Sequence, residues 1–298
     1  CASPAPTLTS FDESSSVISF RDVTVTYPTG TVGLDSVTLD IEPGEFVVVV
    51  GLSGAGKSTL VRSINGLVPV TSGELLVDDV HVDGAKPAQL RRLRSRIGMI
   101  FQSFNLVGRI SVLQNVLVGR LHATPLLLSL FGFFRPADKE KAFEALERVG
   151  IVEKAYVRAS QLSGGQQQRV AIARVLAQDP TVILADEPVA SLDPPTAHMV
   201  MRDLERINDE LGITTIVNLH FLDLARRYAD RIIGMREGTV VFDGPPAEAD
   251  DAVFEQIYGR SLTADDVLSE EEQAEEDALQ AQAAAELDAE ESRKATPA

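Results

Sequence analysis

Polar and apolar residues alternate over residues 17–27, with Val17, Ser19, Val23 and Val25 set among polar neighbours, the period of a half-buried strand. Tyr27-Pro28-Thr29-Gly30 then turns the chain, and a second strand is expected over 36–41. After the tight turn Glu42-Pro43-Gly44-Glu45 the pattern changes. Phe46-Val47-Val48-Val49-Val50 is apolar at every position, and the runs over 97–101 and 181–185 share that character. Continuous apolar strands belong inside a parallel sheet that is covered on both faces.

Shorter strands are expected over 74–77, 213–219, 232–235 and 239–242. Helices are expected over 90–96, from an N-cap at Ser163 to about 178, over 199–211 and over 222–228, and a short closing segment spans 245–258. Between 109 and 161 little reads as strand: Val112, Val116 and Leu117, then Phe143, Leu146 and Val149, stand at helical intervals. The pattern predicts an α/β fold in which antiparallel strands feed a mixed sheet and an α-helical subdomain is inserted over about 109–178. Within that insertion residues 125–134, PLLLSLFGFF, are unusually apolar. They read either as a buried core helix or as a docking surface for an apolar partner.

Composition narrows the class. A chain of 298 residues with 44% hydrophobic content and mean hydropathy +0.05 is a globular protein with room for a full core. No apolar run reaches the ~20 residues of a membrane helix. Cys1 is the single cysteine, which rules out an internal disulfide and suits a reducing cytoplasm. With no methionine ahead of it, Cys1 reads as an incomplete or misassigned start rather than the end of a lipoprotein. Residues 1–16 and 260–298 read as mostly disordered segments flanking a domain over 17–259. The net charge of −17 is uneven: residues 261–298 hold 12 acids and two bases. Such a balance repels phosphate backbones and argues against nucleic acid as a partner. Arg91, Arg92, Arg94 and Arg96 read as a solvated helix face rather than a phosphate patch.

The chemistry centres on Gly51-Leu52-Ser53-Gly54-Ala55-Gly56-Lys57-Ser58, which leaves the apolar run over 46–50 and opens a helix at Thr59. A glycine, four residues, then Gly-Lys-Ser between strand and helix is the P-loop in its required context. Its glycines let backbone N–H groups curl around phosphate oxygens, and the helix N-terminus adds partial positive charge. Lys57 suits the β- and γ-phosphates of a nucleotide, and the Ser58 hydroxyl suits Mg²⁺. Asp186 and Glu187 end the run over 181–185 at the sheet edge where such folds hold ligands. Asp186 suits Mg²⁺ through its water shell, and Glu187 can take a proton from an attacking water.

These motifs, with Gln102, Leu162-Ser163-Gly164-Gly165-Gln166, Ser191-Leu192-Asp193 and His220 in order, resemble those of the ABC-transporter ATP-binding subunits, over about residues 17–258. The resemblance implies a P-loop NTPase that hydrolyses ATP with Mg²⁺. Two copies would form a head-to-tail homodimer, each nucleotide touching the P-loop of one and Ser163, Gly164, Gly165 and Gln166 of the other. Tyr27 would stack on adenine; Gln102 would contact Mg²⁺ and the attacking water; His220 would reach the γ-phosphate; Asp193 would lie at the dimer interface. An integral-membrane permease and an external substrate-binding protein are implied as partners, with this subunit peripheral on the cytoplasmic membrane face. Residues 101–109 (FQSFNLVGR), 116–121 (VLVGRL), 187–193 (EPVASLD) and 213–220 (ITTIVNLH) resemble the phosphonate-importer branch, which implies an importer of phosphonates or of a related oxyanion such as phosphate or phosphite. An importer of polar amino acids or another small solute, and a soluble non-transport ABC ATPase, remain alternatives.

Overall fold

The structure, a computed structural model, describes residues 16–125, 132–263 and 266. The expected N-terminal segment up to 15, positions 126–131 of the apolar stretch, and the tail at 264–265 and from 267 lie outside the described residues. At the near end of that stretch Phe133 is 65% exposed, whereas Phe134 packs against the helical core.

An antiparallel sheet leads the chain. In it β1 (Ile18–Thr26) lies between β2 (Val32–Ile41) and β4 (Ser72–Val77), and β5 (Val80–His81) adds a short outer edge. The larger sheet runs in the order β10 (Thr239–Gly244), β9 (Arg231–Arg236), β3 (Phe46–Val50), β8 (Thr214–Asn218), β7 (Val182–Asp186), β6 (Ile97–Phe101). Every pairing in it is parallel except that of β10 with β9.

The apolar runs fill two cores at once. Phe46, Val48 and Val50 face one hydrophobic cluster while Val47 and Val49 face another. In β7, Ile183 and Ala185 divide from Val182 and Leu184 in the same way. The strand's period of two persists, but both faces are covered, so no polar residue marks it. Burying each valine contributes about 1.5–3 kcal/mol, which offsets the about 1–2 kcal/mol of backbone entropy lost per ordered residue.

One cluster joins β1, β2 and β4 to the larger sheet and to α1 (Lys57–Ile64), with α2 (Pro87–Arg94) at its margin. The other packs the opposite sheet face under α3 (Val112–Leu117), α4 (Pro136–Arg148), α5 (Gly164–Leu176), α6 (Pro194–Leu211), α7 (Leu222–Tyr228) and α8 (Asp251–Tyr258). The inserted helices are tied to one another by Arg120, 8% exposed. Its guanidinium donates to Asp138 (2.9 Å), Asp179 (3.0 Å) and the Ala177 carbonyl (2.9 Å).

Several expected boundaries shift, each for a local reason. Strand β2 begins at Val32 rather than 36, because Gly33 lies where a Cβ would stand 2.8 Å from Tyr27 Cε2, and its break in the alternation reads as turn. Helix α6 begins at Pro194 rather than 199: Asp193 accepts from the Thr196 N–H, and prolines fill the first turn, where no N–H is needed. Helix α2 likewise starts at Pro87 instead of 90, and α8 lies within the closing segment, capped by Asp250. The two residues of β5 are too few to show a period. Of the arginines around α2, Arg92 and Arg96 pair with Asp79, and Arg94 donates to the Asn65 and Gly66 carbonyls.

Candidate functional site

Strand register gathers the expected residues along one sheet edge. Phe101 lies opposite Asp186, Asp186 opposite Asn218, and Asn218 opposite Val49. The residues that follow these strands therefore emerge side by side: Gly51 onward, exposed Gln102, Glu187 and His220. This is the carboxyl end of a parallel sheet, where strand and loop geometry leaves a crevice for ligands.

The loop 51–56 is shaped for backbone donors. Gly56 sits at φ +106°, and a Cβ there would stand 2.5 Å from the Gly33 carbonyl, so no other residue fits. The first backbone bond of α1 runs from Leu60 N–H to Gly56 O at 2.9 Å. The N–H groups of Lys57, Ser58 and Thr59 thus precede the helix's own ladder and face the loop. Leu52, Ser53 and Gly54 are exposed at its crest, while Ala55 is buried beneath it. Lys57 is 4% exposed and folds back onto the carbonyls of Gly51 (2.6 Å) and Leu52 (3.2 Å). Burial lowers its pKa from the ordinary lysine value, against the opposing pull of Glu187 and Asp186.

Asp186 is 4% exposed and held on both oxygens. Its Oδ1 accepts from Ser58 Oγ at 2.8 Å and from Asn218 Nδ2 at 2.9 Å; Oδ2 accepts from Arg62 Nε at 2.9 Å. A serine hydroxyl beside a carboxylate, next to a phosphate-binding loop, is a hard-oxygen donor set that fits Mg²⁺ shared with a nucleotide's phosphates. Among the described residues no cluster of three or more His, Cys, Asp or Glu side chains forms a separate metal cage.

One residue beyond β7, Glu187 adopts φ +54°, and its Oε1 accepts from His220 Nε2 at 2.5 Å. The Tyr258 hydroxyl donates to the His220 carbonyl at 3.0 Å, fixing the backbone behind the ring. At the other margin the Tyr27 hydroxyl bonds Thr59 Oγ1 at 3.0 Å, leaving the ring half-buried beside the P-loop helix.

The pentapeptide 162–166 is built differently from the P-loop. Ser163 caps α5: its Oγ accepts from the Gln166 N–H at 3.4 Å, and Gln166 Oε1 accepts from the Ser163 N–H at 3.1 Å. A Cβ on Gly164 would approach Leu192 at 3.3 Å, and one on Gly165 would stand 2.4 Å from Thr196 Cγ2. Gly165 is thus demanded by packing within the chain as well as by any ligand. Asp193, exposed, accepts from Thr196 Oγ1 at 2.8 Å, and this bond lowers its pKa below the usual carboxylate value. Among the described residues no hydrogen bond or ion pair joins Ser163, Gly164, Gly165 or Gln166 to the loop 51–59. The chain carries a finished cradle at one end and an exposed helix N-terminus at the other.

The loop after Gln102 is tied to the last turn of α5. Arg174 of α5 donates to the carbonyls of Phe104 (2.9 Å) and Asn105 (2.6 Å), both at positive φ in the loop that follows Gln102. Two residues of the site escaped the sequence reading, Arg62 and Asn218. Arg62 lies four residues after Ser58, one helical turn on the same face, and Asn218 is the polar end of an otherwise strand-like run.

A family model described as ABC transporter matches residues 34–190. The chain belongs to the ABC transporter family. Its ATP-binding cassette is 62% identical over 255 residues to the phosphonates import ATP-binding protein PhnC of Shouchella clausii, covering 86% of this chain and 96% of that protein. It is 59% identical over 251 residues to PhnC 1 of Oceanobacillus iheyensis, covering 84% and 97%. Among solved structures the cassette resembles the dimeric MJ0796, a bacterial ABC transporter cassette, at TM-score 0.68 and 36% identity, covering 77% of this chain and 98% of that one. It also resembles cbiO1 of Clostridium perfringens, part of the ABC transporter complex cbiONQ, at TM-score 0.71 and 32% identity, covering 82% of this chain and 95% of that one. The expected α/β architecture, a P-loop core with an antiparallel sheet and inserted helices, is the architecture observed.

Proposed function

We propose that this chain is the ATP-hydrolysing subunit of a membrane importer for phosphonates. The observation that carries the chemistry is the alignment, on one sheet edge, of the Ser58–Asp186 pair with the Glu187–His220 pair. The importer and its substrate class rest on the named relatives, which cover most of the chain.

In this reading the N–H groups of the loop 51–59 cradle the phosphates, and Lys57 turns from the Gly51 and Leu52 carbonyls onto the β- and γ-phosphate oxygens. Tyr27 offers its ring face to adenine. Ser58, Asp186 and Gln102 hold Mg²⁺, which when bound neutralises charge on those oxygens. Glu187 accepts a proton from water as the water oxygen bonds the γ-phosphorus and the bond to the β-phosphate oxygen breaks, releasing ADP. His220 positions that water and the γ-phosphate. Little covalent chemistry is asked of the protein; positioning and charge supply the rate.

A second chain completes each site. The exposed N-terminus of α5, with Ser163, Gly164, Gly165 and Gln166, meets the nucleotide held by the partner subunit, and Asp193 lies between the two sites. The permease is received in the groove of about 460 Å³ lined by Leu67, Met99, Phe101, Val118, Arg94 and His122. Leu67 (48% exposed) and Val118 (40%) offer it apolar contact. No helix among the described residues is long and apolar enough to cross a membrane, consistent with a peripheral subunit on the cytoplasmic face. Phosphonate is chosen by the permease and an external binding protein and does not touch this chain.

Deleting the gene from its host tests this reading. Growth on methylphosphonate as sole phosphorus source is lost, returns with the wild-type chain and not with Glu187→Gln. Undiminished growth of the deletion strain, or loss of growth on a polar amino acid instead, contradicts it.

A further inference from the structure

The Arg62 guanidinium sets Nε at 2.9 Å and Nη2 at 2.8 Å from Asp186 Oδ2, while Ser58 and Asn218 occupy Oδ1. A carboxylate offers about four acceptor positions, so this one has none to spare for a metal-bound water. Any Mg²⁺ shell reaching Asp186 must displace a donor. Ser58 need not leave, because its hydroxyl can give its proton to Asp186 while its oxygen faces the metal. Asn218 is fully buried in β8 and cannot leave. Arg62 can: its side chain is 48% exposed on a long stem, against 5% for Asp186.

We propose that Arg62 is a positioning residue that acts as the stand-in cation of the metal site. With no metal present it aims Asp186 and offsets its charge beside the phosphate cradle. It gives up one of its two contacts when the metal's water arrives. The inference rests on Ser58 and Asp186 serving Mg²⁺. It makes a sharp demand: the charge of Arg62 matters most when metal is absent. Remove it, and a bare carboxylate 2.8 Å from Ser58 Oγ faces the incoming phosphates. Metal then compensates for the loss.

Calorimetry with the β,γ-imido analogue of ATP, in EDTA and then in excess Mg²⁺, tests this on the intact chain. For Arg62→Gln, affinity in EDTA is expected to fall on the order of tenfold, the scale of one nearby charge at a partly screened site, and to change less than about twofold in Mg²⁺. By reciprocity, half-saturation of the analogue complex with Mn²⁺, read by loss of free-ion spin resonance, comes at about tenfold lower Mn²⁺ than in wild type. Arg62→Lys, which keeps the charge and loses the fork, is expected to recover most of the metal-free affinity. An equal loss in EDTA and Mg²⁺, or no loss in either, overturns the inference and leaves Asp186 and Ser58 as metal residues. A wild-type chain whose analogue affinity ignores Mg²⁺ overturns the metal assignment itself, and this inference with it.

Discussion

His220 Nε2 lies 2.5 Å from Glu187 Oε1, and the two side chains stand just beyond neighbouring strands β8 and β7. Each is the other's hydrogen-bond partner. In the proposed reaction the attacking water enters between or beside them, so the proposed proton acceptor and the proposed γ-phosphate contact stand within one hydrogen bond of each other.

Glu187→Gln keeps the size of the side chain and removes the base. We expect phosphate release to fall by about 10²–10⁴-fold, the range a positioned general base supplies, while ATP binding persists. In sedimentation the variant should form an ATP-dependent dimer that the wild type holds only transiently. Hydrolysis within a factor of a few of wild type would remove Glu187 from this role.

Gly165 separates packing from ligand binding. Gly165→Ala puts a methyl 2.4 Å from Thr196 Cγ2, an overpacking expected to cost about 1–3 kcal/mol, with Tm falling about 2–4 °C per kcal/mol in a domain of this size. Thr196→Ser in the same chain removes the clashing methyl and keeps the hydroxyl that donates to Asp193, so thermal unfolding should return most of the way to wild type. ATPase activity should stay low in the double variant. Full recovery of activity would mean Gly165 serves packing alone.

The buried Lys57 gives a pH signature. Its folded-state pKa is lowered, so between that value and the ordinary 10.5 the unfolded chain holds a proton that the folded chain has shed, and stability rises with pH through that window. The stability of wild type relative to Lys57→Met should therefore improve as the medium becomes alkaline. Saturating Mg²⁺ and ATP analogue, which supply anions to the ammonium, should flatten the wild-type dependence. A wild-type-minus-variant difference that is level with pH, followed by denaturant titration, would contradict the desolvated lysine.

Much of this was legible from composition of single segments. The runs at 46–50 and 97–101 are matched residue for residue by β3 and β6, because strands largely covered on both faces favour near-continuous apolar runs. Ser163 was legible as an N-cap for the same local reason. Local rules failed where distant parts meet. Arg62 and Asn218 join Asp186 across separations of 124 and 32 residues, which no periodicity reports. Helix α6 starts five residues ahead of the expected 199, with two prolines in its first turn, where they are at home. The glycine at 165 reads as a phosphate contact in the sequence, and its clash with Thr196 shows only once α5 and α6 are packed.

The central claim is that neither copy of the chain hydrolyses ATP until two have closed on each other. The most direct measurement is the ATPase rate per chain as the chain is diluted through the range where sedimentation passes from dimer to monomer in the presence of Mg²⁺ and ATP. The rate per chain is expected to fall in proportion to concentration once the dimer is lost. A rate per chain that stays constant while sedimentation reports only monomer would contradict it.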